Sequence, residues 1–238
     1  MTDDEVRNLV VRYKPNRKVL DAMADIQILG TVGPSASGKT TLMKALVKAS
    51  PKFKFILDET SRSPRPNEVD GVDFLFYTKE EILRDLKNGE LVQVALGPNG
   101  DLYSTRLSSY PEDAIGIIAL VPPAVKEFRQ LPIKSFKSAF IVPKSFDIWQ
   151  QWLAKQTEAG SWSEEKLQSR LAEAKQSYEF ALNDNNIRFI LNDEIDRAAG
   201  RLEQVVAGQP PADERRARSI AAENYAKLLK LLNESSNS

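Results

Sequence analysis

The sequence predicts an α/β protein of three layers, in which a mainly parallel sheet lies between helices. Short apolar segments alternate with amphipathic segments along most of the 238 residues, which is typical of strands joined by covering helices. The segment 115–121 is continuously apolar, as expected for a strand buried on both faces. The segment 60–105 interrupts the alternation with prolines, glycines and aromatic strand formers, so it predicts an inserted region rich in β-structure.

The predicted elements follow from apolar periodicity and from the residues that begin and end each element. Residues 1–25 predict a helical extension interrupted at Pro15 that packs on the outside of the domain, and Gln209-Pro210-Pro211 separates a central domain, 26–207, from a helical tail, 208–238. In the tail, 215–218 is expected to be a solvated basic face and 234–238 to be disordered. Within the central domain, strands are predicted from residue 26 and at 53–57, 91–96, 115–121, 138–142 and 187–191, and helices before Pro51 and at 80–87, 122–131, 146–154, 164–182 and 194–206.

The composition restricts the chemistry that the chain can perform. The 33 basic and 33 acidic residues balance, which argues against bulk electrostatic binding to nucleic acid or to a membrane surface. Cysteine and histidine are both absent, so the commonest general base and the usual zinc ligands are missing. Phosphoryl transfer suits the remaining residue types because it depends mainly on positioning and charge stabilisation. With no apparent signal peptide or membrane-spanning segment, we expect a cytoplasmic protein.

A glycine-bounded loop lies between the first predicted strand of the central domain and the next helix. It matches G-x-x-x-x-G-K-[ST], with Gly33, Gly38, Lys39 and Thr40 at the fixed positions. Glycines allow successive backbone N–H groups to turn toward one phosphate, and the positive end of the helix dipole points at the same anion. Lys39 can reach the terminal phosphates, and the Thr40 hydroxyl can ligate Mg²⁺. The loop therefore predicts a nucleoside triphosphate site.

A second basic motif follows the first strand–helix–strand segment. Arg62 and Arg65 lie three residues apart in the proline-rich segment 60–66. Two arginines held by a stiff loop form a cationic clamp suited to a second phosphate.

Together these motifs resemble the guanylate kinase family. Residues 60–74 are similar to its acceptor-binding segment, usually T-T-R-x-P-R-x-G-E-x-x-G-x-D-Y, and 89–91 and 100–105 resemble later parts of the same region. The resemblance covers about residues 26–207 and implies a core, an acceptor-binding region near 60–105 and a lid near 155–165. It implies transfer of the γ-phosphoryl group of ATP to GMP or dGMP with Mg²⁺.

The resemblance also implies residue roles. The residues expected to bind ATP are Gly33, Pro34, Ser35, Ala36, Ser37, Gly38, Lys39, Thr40, Thr41 and Asn192. Those expected to bind the acceptor are Ser35, Arg62, Arg65, Phe74, Gln93, Tyr103 and Thr105. Lys39, Arg62 and Arg170 are the expected catalytic residues, and Thr40 is the expected metal ligand.

Several positions depart from the family pattern. Gln93 replaces the carboxylate that reads guanine, and Ala119 and Val121 replace two acidic residues at a strand end. Phe74 replaces a tyrosine, and Trp152 replaces the first arginine of the lid. The phosphate-binding residues are thus largely retained, while those that read the base are not.

These departures leave alternatives open. The chain could act on GMP, on another nucleoside monophosphate or a phosphoribose compound, or be an inactive binding domain of the same fold. A further hypothesis is that Asp58 or Glu59 approaches the metal through water. Contacts to an oligomer partner through the terminal helices are also possible.

Overall fold

The computed structural model describes residues 1–64, 68–97, 100–158 and 162–236. Helices and strands alternate over most of this length, as the sequence predicts. The helices are α1 (Asp3–Arg12), α2 (Arg17–Ala22), α3 (Lys39–Ala49), α4 (Lys79–Asn88), α5 (Pro122–Phe128), α6 (Phe146–Glu158), α7 (Glu164–Asn183), α8 (Ile195–Val206) and α9 (Glu214–Ser236). The strands are β1 (Gln27–Val32), β2 (Phe53–Phe55), β3 (Glu59–Thr60), β4 (Leu75–Phe76), β5 (Leu91–Leu96), β6 (Leu102–Arg106), β7 (Ile115–Ala119), β8 (Ser135–Pro143) and β9 (Arg188–Asn192).

The strands form two sheets. The larger sheet has five strands in the order β2-β7-β1-β8-β9, and its β2–β7 and β8–β9 pairs are parallel. The smaller has the order β4-β3-β6-β5, with antiparallel β3–β6 and β5–β6 pairs. The predicted α/β class with a mainly parallel sheet is therefore confirmed. The smaller sheet accounts for the β-structure predicted between residues 60 and 105.

The chain divides into two units that are each built from several segments. The first unit comprises Met1–Ile28, Lys52–Ile118 and Glu127–Phe136. The second comprises Leu29–Pro51, Ala119–Lys126 and Lys137–Ser238. The smaller sheet belongs to the first unit, whereas α3, β8 from Lys137 onward, β9 and the helices from α6 onward belong to the second.

The N-terminal extension contributes to the core of the first unit. Val6 of α1 is only 2% exposed and lies in one cluster with side chains of α4, β5 and β6. Met23, which follows α2, is fully buried. The expectation that this segment packs on the outside of the domain is therefore incomplete, because its apolar face completes a hydrophobic core.

The core of the second unit is rich in aromatic side chains. The rings of Phe140 and Tyr178 lie 5.2 Å apart between centroids, and Trp149 packs edge-on against Tyr178 at 6.1 Å. Helix α9 covers α7 and β9 and buries Leu228 completely. Helical structure thus continues beyond the expected limit of order at 234, because α9 is anchored along its apolar face and runs to Ser236.

One residue of the tail's basic cluster is also part of this packing. The Arg218 guanidinium lies 4.8 Å from the Phe189 ring centroid and donates to the Leu182 carbonyl at 2.7 Å. The expectation of a fully solvated basic face is wrong at this position, because Arg218 has both an aromatic and a carbonyl partner. Arg215 and Arg216 are exposed.

No helix in the described ranges combines the length and apolar character needed to cross a membrane.

A buried acidic cluster lies on one face of the smaller sheet. Glu59 is fully buried and accepts hydrogen bonds from Ser104 Oγ at 2.7 Å and from Arg106 Nε. Arg106 also donates to Asp85 of α4 at 3.2 Å. Glu59 is therefore committed to a structural ion pair, which contradicts its hypothetical approach to a metal through water.

Asp58 precedes Glu59 in the chain, but within the described residues its carboxylate is not stabilised by hydrogen bonds or an ion pair as that of Glu59 is. Its carboxylate makes no hydrogen bond or ion pair with the described residues, although its carbonyl accepts from the Leu75 N–H at 2.9 Å. Burial, and secondarily the negative charge of Glu59, raises the pKa of Asp58 to about 7. Because the folded protein holds this proton up to about pH 7, the carboxyl group opposes folding increasingly as the pH rises toward that value.

We expect Asp58→Asn to stabilise the protein more at pH 8 than at pH 5. The substitution removes the cost of burying a negative charge, and its benefit should grow by about 2–3 kcal/mol over this interval, at about 1.4 kcal/mol per pKa unit. Urea unfolding at both pH values measures the difference. Asp113→Asn is the control, because the Asp113 carboxylate is exposed and its pKa is lowered by Lys54. An equal effect of Asp58→Asn at the two pH values would contradict the prediction.

Candidate active site

The phosphate loop of the second unit has no room for side chains at its two fixed glycines. A Cβ atom on Gly33 would lie 2.8 Å from the Ile141 carbonyl oxygen of β8. Gly38 has a φ of +85°, and a Cβ there would lie 2.4 Å from Nδ2 of Asn192. Ala36 also has a positive φ, of 58°. The loop is thus tightly wrapped, and its shape depends on glycine where the motif requires it.

The Lys39 side chain folds back onto the start of this loop. Its Nζ donates to the carbonyl oxygens of Gly33 at 2.7 Å and Pro34 at 2.8 Å. Burial lowers the Lys39 pKa to about 8, with a further contribution from the positive charge of Arg170 and an opposing one from Glu173. The ammonium group is therefore still mainly protonated at pH 7 and lies in the field of a second cation. A bound phosphate would relieve the repulsion between these cations.

Arg170 lies on α7 and is held in place by a neighbouring acid. Its Nη1 donates to Glu173 Oε2 at 2.5 Å, one helical turn along the chain. Its Nε is buried and has no hydrogen-bond partner among the described residues. The Nε N–H of Arg170 is therefore a buried donor with no acceptor in the described part of the chain.

Three side chains from later in the chain fix the loop and its surroundings. Trp149 donates from Nε1 to the Ser35 carbonyl at 2.8 Å, and Asn192 donates from Nδ2 to the Ser37 carbonyl at 2.8 Å. The Asp193 carboxylate is bound by Arg201 and Arg197, which hold its pKa well below the usual range. The side chains of Asn192 and Asp193 therefore both have hydrogen-bond partners.

A cavity of about 400 Å³ opens beside the loop within the second unit. Its wall combines loop, helix and strand-end residues with the half-buried indole of Trp152. The lining residues are Ala36, Gly38, Thr41, Trp152, Lys155, Gln156, Asn192, Asp193 and Ile195.

In the first unit, Arg62 is held between an acid and two aromatic rings. Its Nη1 and Nη2 donate to the two Glu68 oxygens at 2.6 and 2.7 Å. The guanidinium carbon lies 4.8 Å from the centroid of Phe74 and 5.7 Å from that of Phe76. Hydrogen bonding, first to Glu68 and also to Tyr103, raises the Arg62 pKa. As in Arg170, the Nε is buried without a partner among the described residues.

Gln93 and Thr105 are cross-strand neighbours in the smaller sheet. They pair directly in the antiparallel β5–β6 ladder, with a register shift between Leu91 and Gln93. The Thr105 hydroxyl lies 2.7 Å from that of Tyr110, whose pKa is raised mainly by burial. Their shared face therefore carries amide and hydroxyl groups.

The predicted site residues thus fall into two groups. The second unit brings the loop together with Lys39, Arg170 and Asn192. The first unit brings Arg62 together with Phe74 and Tyr103, and pairs Gln93 with Thr105. Ser35, expected to contact both substrates, belongs to the second unit, as does the exposed Val121. Arg65 lies outside the described residues, as does part of the lid expected near 155–165.

Sequence reasoning missed the groups that hold these residues. Glu173 could have been recognised from its i+3 spacing to Arg170 on a predicted helix. Trp149 lies 114 residues from the Ser35 carbonyl that it binds, so local sequence gives no signal for it. Glu68 belongs to the motif that carries Arg62, but the motif alone does not show that the two side chains pair.

Comparison with known proteins agrees with this arrangement. The family model described as guanylate kinase matches residues 27–209. A guanylate kinase of Symbiobacterium thermophilum is 32% identical over 76% of this chain and 85% of its own length. One of Synechocystis sp. is 33% identical over 76% of this chain and 93% of its own length.

A solved structure shares the fold. The crystal structure of guanylate kinase from Anaplasma phagocytophilum matches with a TM-score of 0.54 at 19% identity, over 81% of this chain and 89% of that one. The match of the family model over most of the chain, the identity to curated relatives and the geometry of the phosphate loop lead to one conclusion: the chain belongs to the guanylate kinase family.

Proposed function

We propose that this chain transfers the γ-phosphoryl group of ATP to GMP or dGMP. Its family is one of nucleoside-monophosphate kinases, so the chain is an enzyme of that type. The observation that carries the proposal is the phosphate loop, in which Lys39 and Arg170 place two positive charges beside backbone that only glycine can form. The residues that the structure describes offer nothing specific in favour of another acceptor or of an inactive binding domain.

The second unit would hold the donor. Residues 33–41 would surround the β- and γ-phosphates of ATP with backbone N–H groups, and the ammonium group of Lys39 would exchange its loop carbonyls for phosphate oxygens. The Nε of Arg170 would donate to the transferring group, where negative charge spreads during phosphoryl transfer. Arg170 is already held by Glu173, whereas Lys39 has to turn its ammonium group from the loop carbonyls to the phosphate oxygens.

The first unit would hold the acceptor. Arg62 and Tyr103 would bind the acceptor phosphate, and Arg65 would supply a second cation. The Phe74 ring would hold the Arg62 guanidinium by a cation–π contact. Gln93 and Thr105 would contact its base. The attacking phosphate oxygen is already ionised, so the reaction needs placement and charge stabilisation rather than a general base.

Mg²⁺ is the proposed cofactor, and Thr40 is its proposed protein ligand. The Thr40 side chain is exposed in the first turn of α3, directly after Gly38 and Lys39, so its hydroxyl is available to a cation carried by ATP. The described residues contain no group of three or more acidic side chains that could bind a metal independently. A single threonine ligand fits a Mg²⁺ ion that is held largely by the phosphates of ATP. When bound, the ion would neutralise part of the negative charge of those phosphates. The three-part division of the chain, a cytoplasmic location and partner contacts through the terminal helices stay predictions.

The activity is tested by ADP release from MgATP with GMP as acceptor. We expect the wild-type chain to be active with GMP and dGMP, and Lys39→Ala to lower kcat by about 100-fold or more, because it removes a charge that stabilises the transferring group. A panel of other nucleoside monophosphates and phosphoribose compounds is measured in parallel.

Lys44→Ala is the control for this substitution. Lys44 is an exposed lysine of the same helix, one turn beyond the loop, and its replacement should leave turnover unchanged. Unchanged turnover in Lys39→Ala would contradict the mechanism. Activity with a panel compound but not with GMP or dGMP would overturn the proposed acceptor.

Trp152 gives a second prediction, about the donor base. If the base of ATP occupies the 400 Å³ cavity beside the loop, the Trp152 indole offers it a stacking surface. We expect Trp152→Ala to raise KM for ATP by about 10-fold and to leave KM for GMP within about 2-fold, on the scale of a base–aromatic stacking contact. Trp152→Phe should retain most of the affinity, because a ring remains.

Fluorescence provides an independent measurement of the same contact. ATP should quench the tryptophan emission of the wild-type protein, and Trp152→Phe should remove most of that quenching. Trp162→Phe is the matched control, since Trp162 does not line the cavity. Equal quenching in the wild type and in Trp152→Phe would place the base elsewhere.

A further inference from the structure

The N-terminal extension lies outside the matched family region, yet it packs on the strand that carries Gln93. The family match begins at residue 27, whereas α1 and α2 end before that point. Both helices contact β5, and α1 also contacts α4. The apolar contact centres on Val6, which lies in a buried cluster with Leu91 and Val94 of β5. The extension is therefore part of the same core as this strand.

Three hydrogen bonds join the end of the extension to the segment that leads into β5. Tyr13 donates from its hydroxyl to the Leu91 carbonyl at 2.5 Å. Asn16 donates from its backbone N–H to the Gly89 carbonyl at 2.8 Å and from Nδ2 to the Asn88 carbonyl at 3.1 Å. The backbone carbonyls of residues 88, 89 and 91 are thus held by two residues of the extension.

The fit at this junction is close. Gly89 has a φ of +71°, and a Cβ on it would lie 3.0 Å from Cβ and 3.1 Å from the backbone nitrogen of Asn16. Asn16 in turn caps α2, because its Oδ1 accepts from the Val19 N–H at 3.0 Å. The position of the chain before β5 is therefore defined by contacts to the extension on one side and by the turn after α4 on the other.

These contacts lie next to an irregularity in the sheet. β5 is the outer strand of the order β4-β3-β6-β5, so β6 is its only partner strand among the described residues. The register of that pairing shifts between Leu91 and Gln93. A shift of this kind changes the direction of the side chains that follow it. Tyr13 holds the backbone at Leu91, immediately before the shift, and Gln93 lies immediately after it.

The extension and Gln93 also line one cleft. A cavity of about 600 Å³ in the first unit includes Val10, Tyr13 and Lys14 from the extension and Gln93 and Ala95 from β5. The residue expected to contact the acceptor base is therefore within the same recess as the extension.

We infer that the N-terminal extension is part of the acceptor site, in which Tyr13 and Asn16 are positioning residues that set the register of β5 and hence the direction of Gln93. This inference rests on the proposed function only in identifying Gln93 as an acceptor contact. Neither residue touches the reacting atoms. Both act through the backbone at residues 88–91.

Tyr13→Phe tests the inference with the smallest change. The variant keeps the packed ring and removes only the donor to the Leu91 carbonyl. We expect KM for GMP to rise by about 5-fold, the scale of one hydrogen bond, while KM for ATP and kcat change by less than about 2-fold. A role in stability alone would reduce the active fraction and leave KM for GMP unchanged.

Asn16→Asp gives an independent variant. It keeps the oxygen that caps α2 and removes the Nδ2 donor to the Asn88 carbonyl, so it should raise KM for GMP in the same direction. Arg17→Ala is the control, because that side chain is 87% exposed and pairs only with Asp21 among the described residues. Amide hydrogen exchange should accelerate in β5 of both variants and stay unchanged in β9.

The outcomes separate the inference from the proposed function. A wild-type enzyme that is inactive with GMP contradicts the function, whereas faster exchange confined to β5 would still support the control of this strand by the extension. An active enzyme in which both variants retain the wild-type KM for GMP overturns the positioning role. So does exchange that accelerates equally in β5 and β9, since that result indicates general destabilisation.

Discussion

Backbone N–H groups can surround a phosphate only where no side chain occupies the space that the anion and the neighbouring strands require. Gly33 and Gly38 meet this constraint at positions where a single added carbon would lie 2.8 Å from a β8 carbonyl and 2.4 Å from an Asn192 nitrogen. The positions of β8 and β9 therefore matter to the loop as much as its own sequence does. Lys39 completes the arrangement by bonding to the carbonyls at the start of the loop, which places its charge at the centre of the turn.

Arg62 and Arg170, two of the arginines that we propose to bind phosphates, are held in the same way. Arg170 is paired with Glu173 and Arg62 with Glu68, and in both the Nε is buried without a partner among the described residues. Pairing with a glutamate offsets the cost of removing a guanidinium from water and fixes a long side chain before any ligand binds. The Nε N–H that is left without an acceptor is unfavourable in the buried state, so an anion that accepted from it would stabilise the complex.

The sequence predicts the local features of the molecule well and its long-range contacts poorly. The phosphate loop and the α/β alternation depend on residues close together in the chain, so motif and periodicity are sufficient to identify them. The bond from Tyr13 to Leu91 joins residues 78 positions apart, and no local pattern indicates it. The same reason explains why the sequence does not reveal the structural role of Glu59. Its partner Arg106 lies 47 positions away in the chain, so Glu59 resembles any other acidic loop residue. The terminal position predicts disorder from residue 234, but packing of α9 against α7 and β9 extends the helix to Ser236.

The interleaving of the two units has a consequence for synthesis of the chain. All segments of the first unit precede residue 137, whereas the second unit combines Leu29–Pro51 with β9 and α9, which come last. At translation rates of about 5–20 residues per second, the stretch from residue 137 to Asn192 takes on the order of 3–11 seconds to be made. The small sheet and its N-terminal helices can therefore fold on the ribosome while the phosphate loop still lacks Asn192. A nascent chain would thus form the unit that we propose to bind the acceptor before its phosphate loop is complete.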